Sequence, residues 1–419
     1  MNKLISFKID WLFWFLIIAP TFYIAGTDTR MAQLEFFKIA IIALIALFHS
    51  NKWIGAFLGY AMFQLVFIHS DITKVIPNIF FGAVLYHFIT KCVRPSPKYL
   101  WALYGVLILN IVWAVLQIYQ IDPIFMMVDQ QHQTIMTEFP GFFALPAFLG
   151  NYAAVVLPLS FTLSPVLFPF ALIGLFFSKS SFSVLAALVA SLFYFWFRKR
   201  IVFWVILLVF GCISAFYVIN HDLPSGQFSR RLSAWKLITS QAFKSQFLGH
   251  GIGSYGTKYF VVETAPSLKN RLVSNNKQLL DFIAEEAKDK KEWGVLNAIS
   301  QINPDDFDDS YVMGLKNLLQ DHQMDYHIWD PAHNEFLQVF FDMGLVGILI
   351  IGGYIFDLFR RFLQYGNDPI IYSLMAAFVA ILIVSFGHFP FHIARLASPF
   401  IVILALLDTC LLRVEHDIY

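Results

Sequence analysis

Three observations predict an all-α, polytopic membrane fold. The mean hydropathy is +0.65, with 58% of the residues hydrophobic and 14% charged, whereas soluble domains carry about a quarter charged residues. Apolar runs such as Trp11–Ala25, Trp101–Val115 and Ile201–Val218 recur along the 419 residues, and a helix needs ~20 mainly apolar residues to cross a bilayer. Charge is also segregated, because residues 220–333 hold 12 of the 29 basic and 14 of the 28 acidic residues.

Reading hydropathy in chain order gives about twelve spans, at 9–25, 35–49, 52–69, 75–90, 99–119, 145–162, 164–178, 181–197, 201–219, 334–356, 369–387 and 394–412. The sixth and seventh are short and meet at Ser164-Pro165, so a single broken re-entrant unit is the other reading of that stretch. Lys3 and Lys8 precede an apolar run that ends at Ala25-Gly26, the pattern of a signal peptide. Pro20 within the run, and the many spans behind it, favour an uncleaved first helix.

Three divisions follow: spans one to nine in 1–219, a large loop in 220–333, and spans ten to twelve with a short tail in 334–419. In this arrangement one side of the membrane receives Lys3, Lys8, Lys52, Lys91, Arg94, Lys98, Arg198, Lys199, Arg200, Arg360, Arg361 and Arg413. The short segments and helix ends on the other side receive only Arg30, Lys38, Lys74, Lys179 and Arg395. The positive-inside rule then puts both termini in the cytoplasm and the large loop outside it. A loop of that length calls for structure of its own, and helical periodicity marks Ser233–Phe247, Lys277–Ala287 and Tyr311–Leu319.

Several classes are excluded or disfavoured. The net charge of +1 gives nucleic acid no reason to bind. Cys92, Cys212 and Cys410 stand far apart with no metal-ligand spacing, so neither a disulfide framework nor a zinc site is indicated. Asn303-Pro304-Asp305-Asp306-Phe307-Asp308-Asp309 offers oxygen ligands to a hard cation, but a solvated turn is the commoner reading, and no metal is expected. No internal repeat or matched pair of broken helices supports a secondary transporter.

Two stretches carry candidate chemistry. In Asp330-Pro331-Ala332-His333-Asn334-Glu335, Asp330 suits a helix N-cap and Pro331 the first helical position, which places His333 in the first turn. The positive helix end disfavours imidazolium and leaves the ring able to accept a proton. The bland alternative is an interfacial histidine bonding a headgroup or a backbone carbonyl. Gly344 and Gly347, one turn apart further along, allow another helix to approach closely.

The second stretch is Ser229-Arg230-Arg231-Leu232-Ser233-Ala234-Trp235, followed by Gly249-His250-Gly251-Ile252-Gly253. Paired N–H donors let arginine hold a diphosphate as lysine does not. The alternating glycines permit close approach of a ligand or of another backbone, and a tight turn between helices is the commoner use of such a pattern. His388 and His392 flank Pro390 and either line a cavity or pack at the interface, while His327 and Trp329 precede Asp330.

Together these stretches resemble the O-antigen ligase and polymerase superfamily of bacterial envelope glycosyltransferases. Its ligase signature, a histidine followed by Asn, Ser or Gln, then nine residues and GxxG, is matched without a gap by His333-Asn334, Glu335 to Met343, Gly344 and Gly347. Arg231…Trp235…Gly249-x-Gly251-x-Gly253 is similar to the family's arginine-helix-glycine block. Gly141-Phe142-Phe143…Gly150-Asn151-Tyr152-Ala153 is similar to its stretch entering the sixth span. Two departures stand out. Glu138, Phe139 and Pro140 occupy positions where the family often carries an arginine, and Trp235 replaces a leucine four residues after Arg231.

The resemblance implies a multi-pass protein of the bacterial inner membrane with a periplasmic loop. It implies transfer of a glycan from undecaprenyl diphosphate to a hydroxyl of lipid A-core, without cofactor or metal. It casts His333 as general base and Arg231 as the diphosphate ligand, with Arg230, Asn334, Gly249, Gly251, Gly253 and Arg395 as substrate-binding candidates. Arg30 and Lys38 are further candidates for the second diphosphate cation. The rivals are an O-antigen polymerase, an O-oligosaccharyltransferase acting on protein hydroxyls and, in a different class, a lipid-linked-sugar transporter.

Overall fold

The computed structural model describes residues 51–68, 82–91, 93, 95–119, 146–178, 180–208, 225–245, 247–255, 260–264, 269–273, 276–289, 295, 299–300, 326–329, 332–392 and 394–418. The expected spans at 9–25 and 35–49, the expected helix at Tyr311–Leu319, Asp330-Pro331 and the Asn303–Asp309 run lie outside the described residues.

The helices, in order, are α1 (Lys52–Phe67), α2 (82–91), α3 (Pro97–Ile118), α4 (Pro146–Leu163), α5 (Phe168–Ser178), α6 (Ser181–Arg198), α7 (described over 200–208), α8 (Ser225–Ala242), α9 (Asn276–Asp289), α10 (Glu335–Tyr365), α11 (Pro369–Gly387) and α12 (Ala394–Ile418). Among the described residues six helices are long and apolar enough to cross a membrane, namely α3, α4, α6, α10, α11 and α12 over Leu396–Glu415. The protein is a helical membrane protein. α5 has only 11 residues, too few to span alone; a short 3-10 turn at Pro165–Leu167 leads into it, and it packs on α4.

Contacts divide the chain into two compact units, one of Met1–Leu58, Ile76–His221 and Gly352–Tyr419 and the other of Gly59–Val75 and Asp222–Ile351. The division falls within α1 and within α10.

In the first unit α4 is the central helix, packed against α3, α5, α6 and α11. Helices in lipid gain little from burying apolar surface against one another, so they associate through close packing of small residues and through polar contacts. Both devices are present. Ala153, Ala154, Ala186, Ala190, Ala376, Ala377 and Ala380 are fully buried. Tyr152 Oη donates to Leu103 O at 2.7 Å, Ser183 Oγ to Asn151 Oδ1 at 2.8 Å and Thr162 Oγ1 to Pro369 O at 3.0 Å. Asp368 caps α11 by accepting from Ile370 N at 2.7 Å, with Pro369 at the first helical position, the local chemistry that sets a helix start.

The same unit contains a buried ionic cluster. Asp408 and Arg361 are almost wholly buried, and Arg361 Nη2 lies 2.5 Å from Asp408 Oδ1. Arg361 Nε lies 3.1 Å from Asp357 Oδ2, which also pairs with the half-exposed Arg360 at 3.2 Å. Asn51 Nδ2 donates to Asp408 Oδ2 at 3.1 Å, Tyr86 Oη donates to the same oxygen, and Tyr354 Oη donates to Tyr86 Oη at 3.3 Å.

The second unit contains α8, α9 and a three-stranded antiparallel sheet of β1 (Phe260–Thr264), β2 (Lys269–Val273) and β3 (Tyr326–Trp329), in the order β2-β1-β3. Val261 is paired with Leu272 on one side and with Trp329 on the other. The expectation of a mainly helical loop did not include this sheet. β1 and β2 mix Val261, Val262 and Leu272 with Glu263, Lys269 and Arg271, so no long apolar alternation marks the strands, and β3 comes from far along the chain. α9 agrees with the expected 277–287 helix, whereas α8 begins eight residues before the expected Ser233.

Candidate functional site

His333 was expected in the first turn of a helix, but residues 332–334 are not helical. α10 begins at Glu335, and Asn334 is its cap: the side-chain oxygen accepts from Leu337 N at 3.0 Å and the main-chain oxygen accepts from Gln338 N at 3.0 Å. His333 therefore stands just outside the helix, not in its first turn. Its φ of 51° makes it the only non-glycine residue with positive φ among the described residues. Such a conformation costs energy of order 1–3 kcal/mol and persists only where neighbours impose it.

The neighbours that impose it are identifiable. Trp235 Nε1 donates to Ala332 O at 2.9 Å, and Ala332 N donates to Gln338 Oε1 at 3.2 Å. Ala332 is fully buried in a small core with Ala234, Ile238, Ala242, Tyr255 and Phe341. The residue before His333 is gripped at both its N–H and its carbonyl, and the residue after it is locked as a cap. The imidazole is only half-buried between them.

Arg231 belongs to the same assembly. It lies one helical turn before Trp235 on α8, and residues four apart share a helix face, so Arg231 projects from the face that docks on the His333 turn. Burial lowers the pKa of its guanidinium, as expected for a cation taken partly out of water. Arg230 is the preceding residue of α8, and Arg395 is the second residue of α12, in the other unit.

The glycines form a clamp. α10 breaks at Gly344, whose φ is 63° and ψ −160°, which leaves the carbonyls of Phe341, Asp342 and Met343 without their usual helical donors. The loop after α8 replaces those donors. His250 N donates to Phe341 O at 3.0 Å, Gly251 N to Asp342 O at 2.9 Å, and Val346 N donates back to Phe247 O at 3.3 Å. From α1, Tyr60 Oη donates to Met343 O at 3.1 Å and Gln64 Nε2 to Asp342 O at 3.3 Å. The buried Asp342 carboxylate accepts from Gly253 N at 3.2 Å and Tyr255 N at 3.0 Å.

This arrangement revises two expectations. Gly344 does not admit a second helix; it admits the loop backbone, and a Cβ there would lie 2.5 Å from Gly249 N and Phe247 O. Nor are Gly249, Gly251 and Gly253 placed as diphosphate donors. Their N–H groups go to Ser245 O, Asp342 O and Asp342 Oδ2. With φ values of 78°, 101° and 75°, they supply the left-handed backbone that lets the loop reach the break.

Asp342, Tyr60, Gln64 and Trp235 were not among the expected site residues. Gln64 gave a signal, being a polar group within an apolar span. So did Trp235, which stands where the resembled pattern has leucine and supplies an N–H that leucine lacks. Of the histidines considered beside His333, His388 is buried, with Nε2 3.5 Å from Ser180 Oγ, and its ring meets Phe182 edge-on.

His250 provides a pH test of the clamp. Its ring stacks on Phe341 with centroids 4.4 Å apart. Burial lowers its pKa, the nearby Lys244 lowers it further, and the Gln241 carbonyl partly opposes the shift. The folded state therefore binds fewer protons than the unfolded one between the depressed value and about 6.5. The resulting stability is complete above about 6.5, the unfolded value, and is lost progressively as pH falls from there through the depressed folded value. Denaturation midpoints measured between neutral and mildly acidic pH are expected to fall more steeply for wild type than for His250→Gln; equal slopes would exclude His250 as the titrating group.

No protein-family model matches the chain, and no curated protein matches it.

Proposed function

We propose that this chain is a membrane glycosyltransferase of the O-antigen ligase type, which moves a glycan from undecaprenyl diphosphate to a hydroxyl of lipid A-core. The protein then lies in a bacterial inner membrane with about twelve spans, both termini cytoplasmic and the 220–333 segment periplasmic. The observation that supports this best is the His333 turn. A half-buried imidazole is held in a strained conformation by Trp235, Asn334 and Gln338, beside the helix face that bears Arg231. Strain maintained at one histidine, with a partly desolvated cation on the helix face that holds its turn, supports a reaction site over a packing contact.

In the proposed step His333 removes the acceptor hydroxyl proton as that oxygen attacks the anomeric carbon. The bond from that carbon to the diphosphate oxygen breaks, and its electron pair leaves with the diphosphate. Arg231 stabilises the departing charge through its paired donors. Attack opposite the leaving group inverts the anomeric centre. Asn334 acts by holding the turn, since its side chain is engaged by Leu337 N.

The test is transfer in vitro with purified protein, undecaprenyl-diphosphate glycan and lipid A-core. Loss of a general base typically costs 10²–10⁴-fold, so His333→Ala is expected to lose about that much while its melting temperature stays near wild type. Arg231→Ala is expected to lose a comparable factor, with Arg231→Lys rescuing little. Lengthening of the lipid-linked donor in place of lipid A-core modification would replace ligase by polymerase. Full activity in His333→Ala would sink the assignment of the base.

A further inference from the structure

We infer that the corner between α6 and α7 binds one anionic phospholipid, with an acyl chain in an aromatic groove and its phosphate on Arg198, Lys199 and Arg200. This inference does not depend on the transferase reading. α6 stops at Lys199, whose φ of −148° and ψ of 82° turn the chain sharply into α7. Val189, Leu192, Phe193, Trp196, Phe197 and Phe203 line an open groove of about 460 Å³ at that corner, mostly with apolar atoms. Trp196 and Phe203 meet edge-to-face at 5.0 Å across it.

The charge at the end of the groove selects the headgroup. Arg198, Lys199 and Arg200 are consecutive and exposed at the end of an apolar helix long enough to cross a membrane. Among the described residues no carboxylate pairs with any of them, and residues 181–220 contain neither Asp nor Glu. The guanidinium of Arg200 lies over the Trp196 ring at 5.5 Å and that of Arg198 over the Tyr372 ring at 5.6 Å. Cation–π contacts of this kind hold the planar groups at the aromatic level and leave their N–H donors available for a phosphate. Three unneutralised cations at the rim of a lipid-facing groove attract a negative headgroup, each contributing at the membrane surface.

The test is native mass spectrometry of the full-length protein released from detergent, titrated with phosphatidylglycerol or phosphatidylcholine of matched chains. Wild type is expected to retain phosphatidylglycerol with roughly a tenfold to hundredfold preference, which shrinks as salt rises. Arg198→Gln/Lys199→Gln/Arg200→Gln is expected to abolish the preference while leaving weak, headgroup-blind binding, and Trp196→Ala to weaken both lipids. Equal retention of the two lipids by wild type overturns the proposal, as does a preference that survives in the triple variant. Tighter binding of undecaprenyl phosphate at the same triple-sensitive site also overturns it, by assigning the groove to an isoprenoid carrier. If the triple variant fails to fold, the salt titration of wild type decides: a preference indifferent to salt is the overturning result.

Discussion

Asp408→Ala is expected to be among the most destabilising single substitutions in the protein. It leaves Arg361, a residue 3% exposed, without its closest counter-ion, and it orphans the donors of Asn51 and Tyr86. Breaking a buried ion pair from one side costs about 3–5 kcal/mol, here tempered by Asp357, which stays 3.1 Å from Arg361 Nε. The same principle predicts partial recovery when the second charge is removed as well. Arg361→Met/Asp408→Asn keeps an acceptor for Tyr86 and leaves Asp357 paired with Arg360, so it is expected to regain most of the loss. Denaturation midpoints of the wild type, both single variants and the double variant in one detergent make the comparison. A double variant no better than Asp408→Ala would mean that packing, not charge, holds the cluster.

Gly344→Ala and Gly249→Ala are the second pair with large expected effects. A Cβ on Gly249 would sit 2.3 Å from Asp342 O, and one on Gly344 2.5 Å from Gly249 N. These are backbone atoms, which have no rotamer into which to retreat. Both positions also have positive φ, which costs a residue with a Cβ roughly 1–2 kcal/mol before any clash. Together these effects are expected to exceed about 3 kcal/mol and to open the clamp. Hydrogen exchange reads this directly, because the amides of His250, Gly251 and Tyr255 donate into the clamp and should lose protection. Gly352→Ala is the control. It lies on the same helix with nothing within 4 Å of the added carbon, and it is expected to be neutral or to stabilise by up to about 1 kcal/mol. Unchanged exchange in Gly344→Ala would mean that the loop is held elsewhere.

The clamp ties the glycine loop to the helix that follows the His333 turn through the loop's backbone N–H groups. The N-terminal part of α10 carries the Asn334 cap, Gln338 and Asp342 on one stretch of backbone. Fixing Phe341 to Met343 against the loop therefore fixes the stretch that positions His333. Substitutions in the glycine loop are expected to impair His333 through geometry, with loss of exchange protection accompanying any loss of activity.

The sequence alone determined what depends on local chemistry. The apolar runs at 97–118, 146–163 and 369–387 are helices because their composition leaves the backbone no other way to satisfy itself in lipid, and Asp368-Pro369 marks a helix start through its own cap and ring. His333, Arg231 and the glycine pattern were legible as residue types at suggestive spacings.

What each of those residues does was decided by tertiary structure. Arg361, read as one of several cytoplasmic charges, is buried against Asp408, a partner from another helix that no local pattern indicates. Gly249 and Gly344 are far apart in the chain, and only their meeting shows that one permits the other's helix to break. Asn334 is the cap of α10, and the left-handed turn at His333 just before it is held by Trp235 from α8 and by Gln338 from α10 itself. Hydropathy and caps act over a few residues, so a sequence displays them directly. The partner of a freed carbonyl or a buried charge is chosen by whichever group the packed helices bring within hydrogen-bonding distance, and that choice exists only in the folded chain.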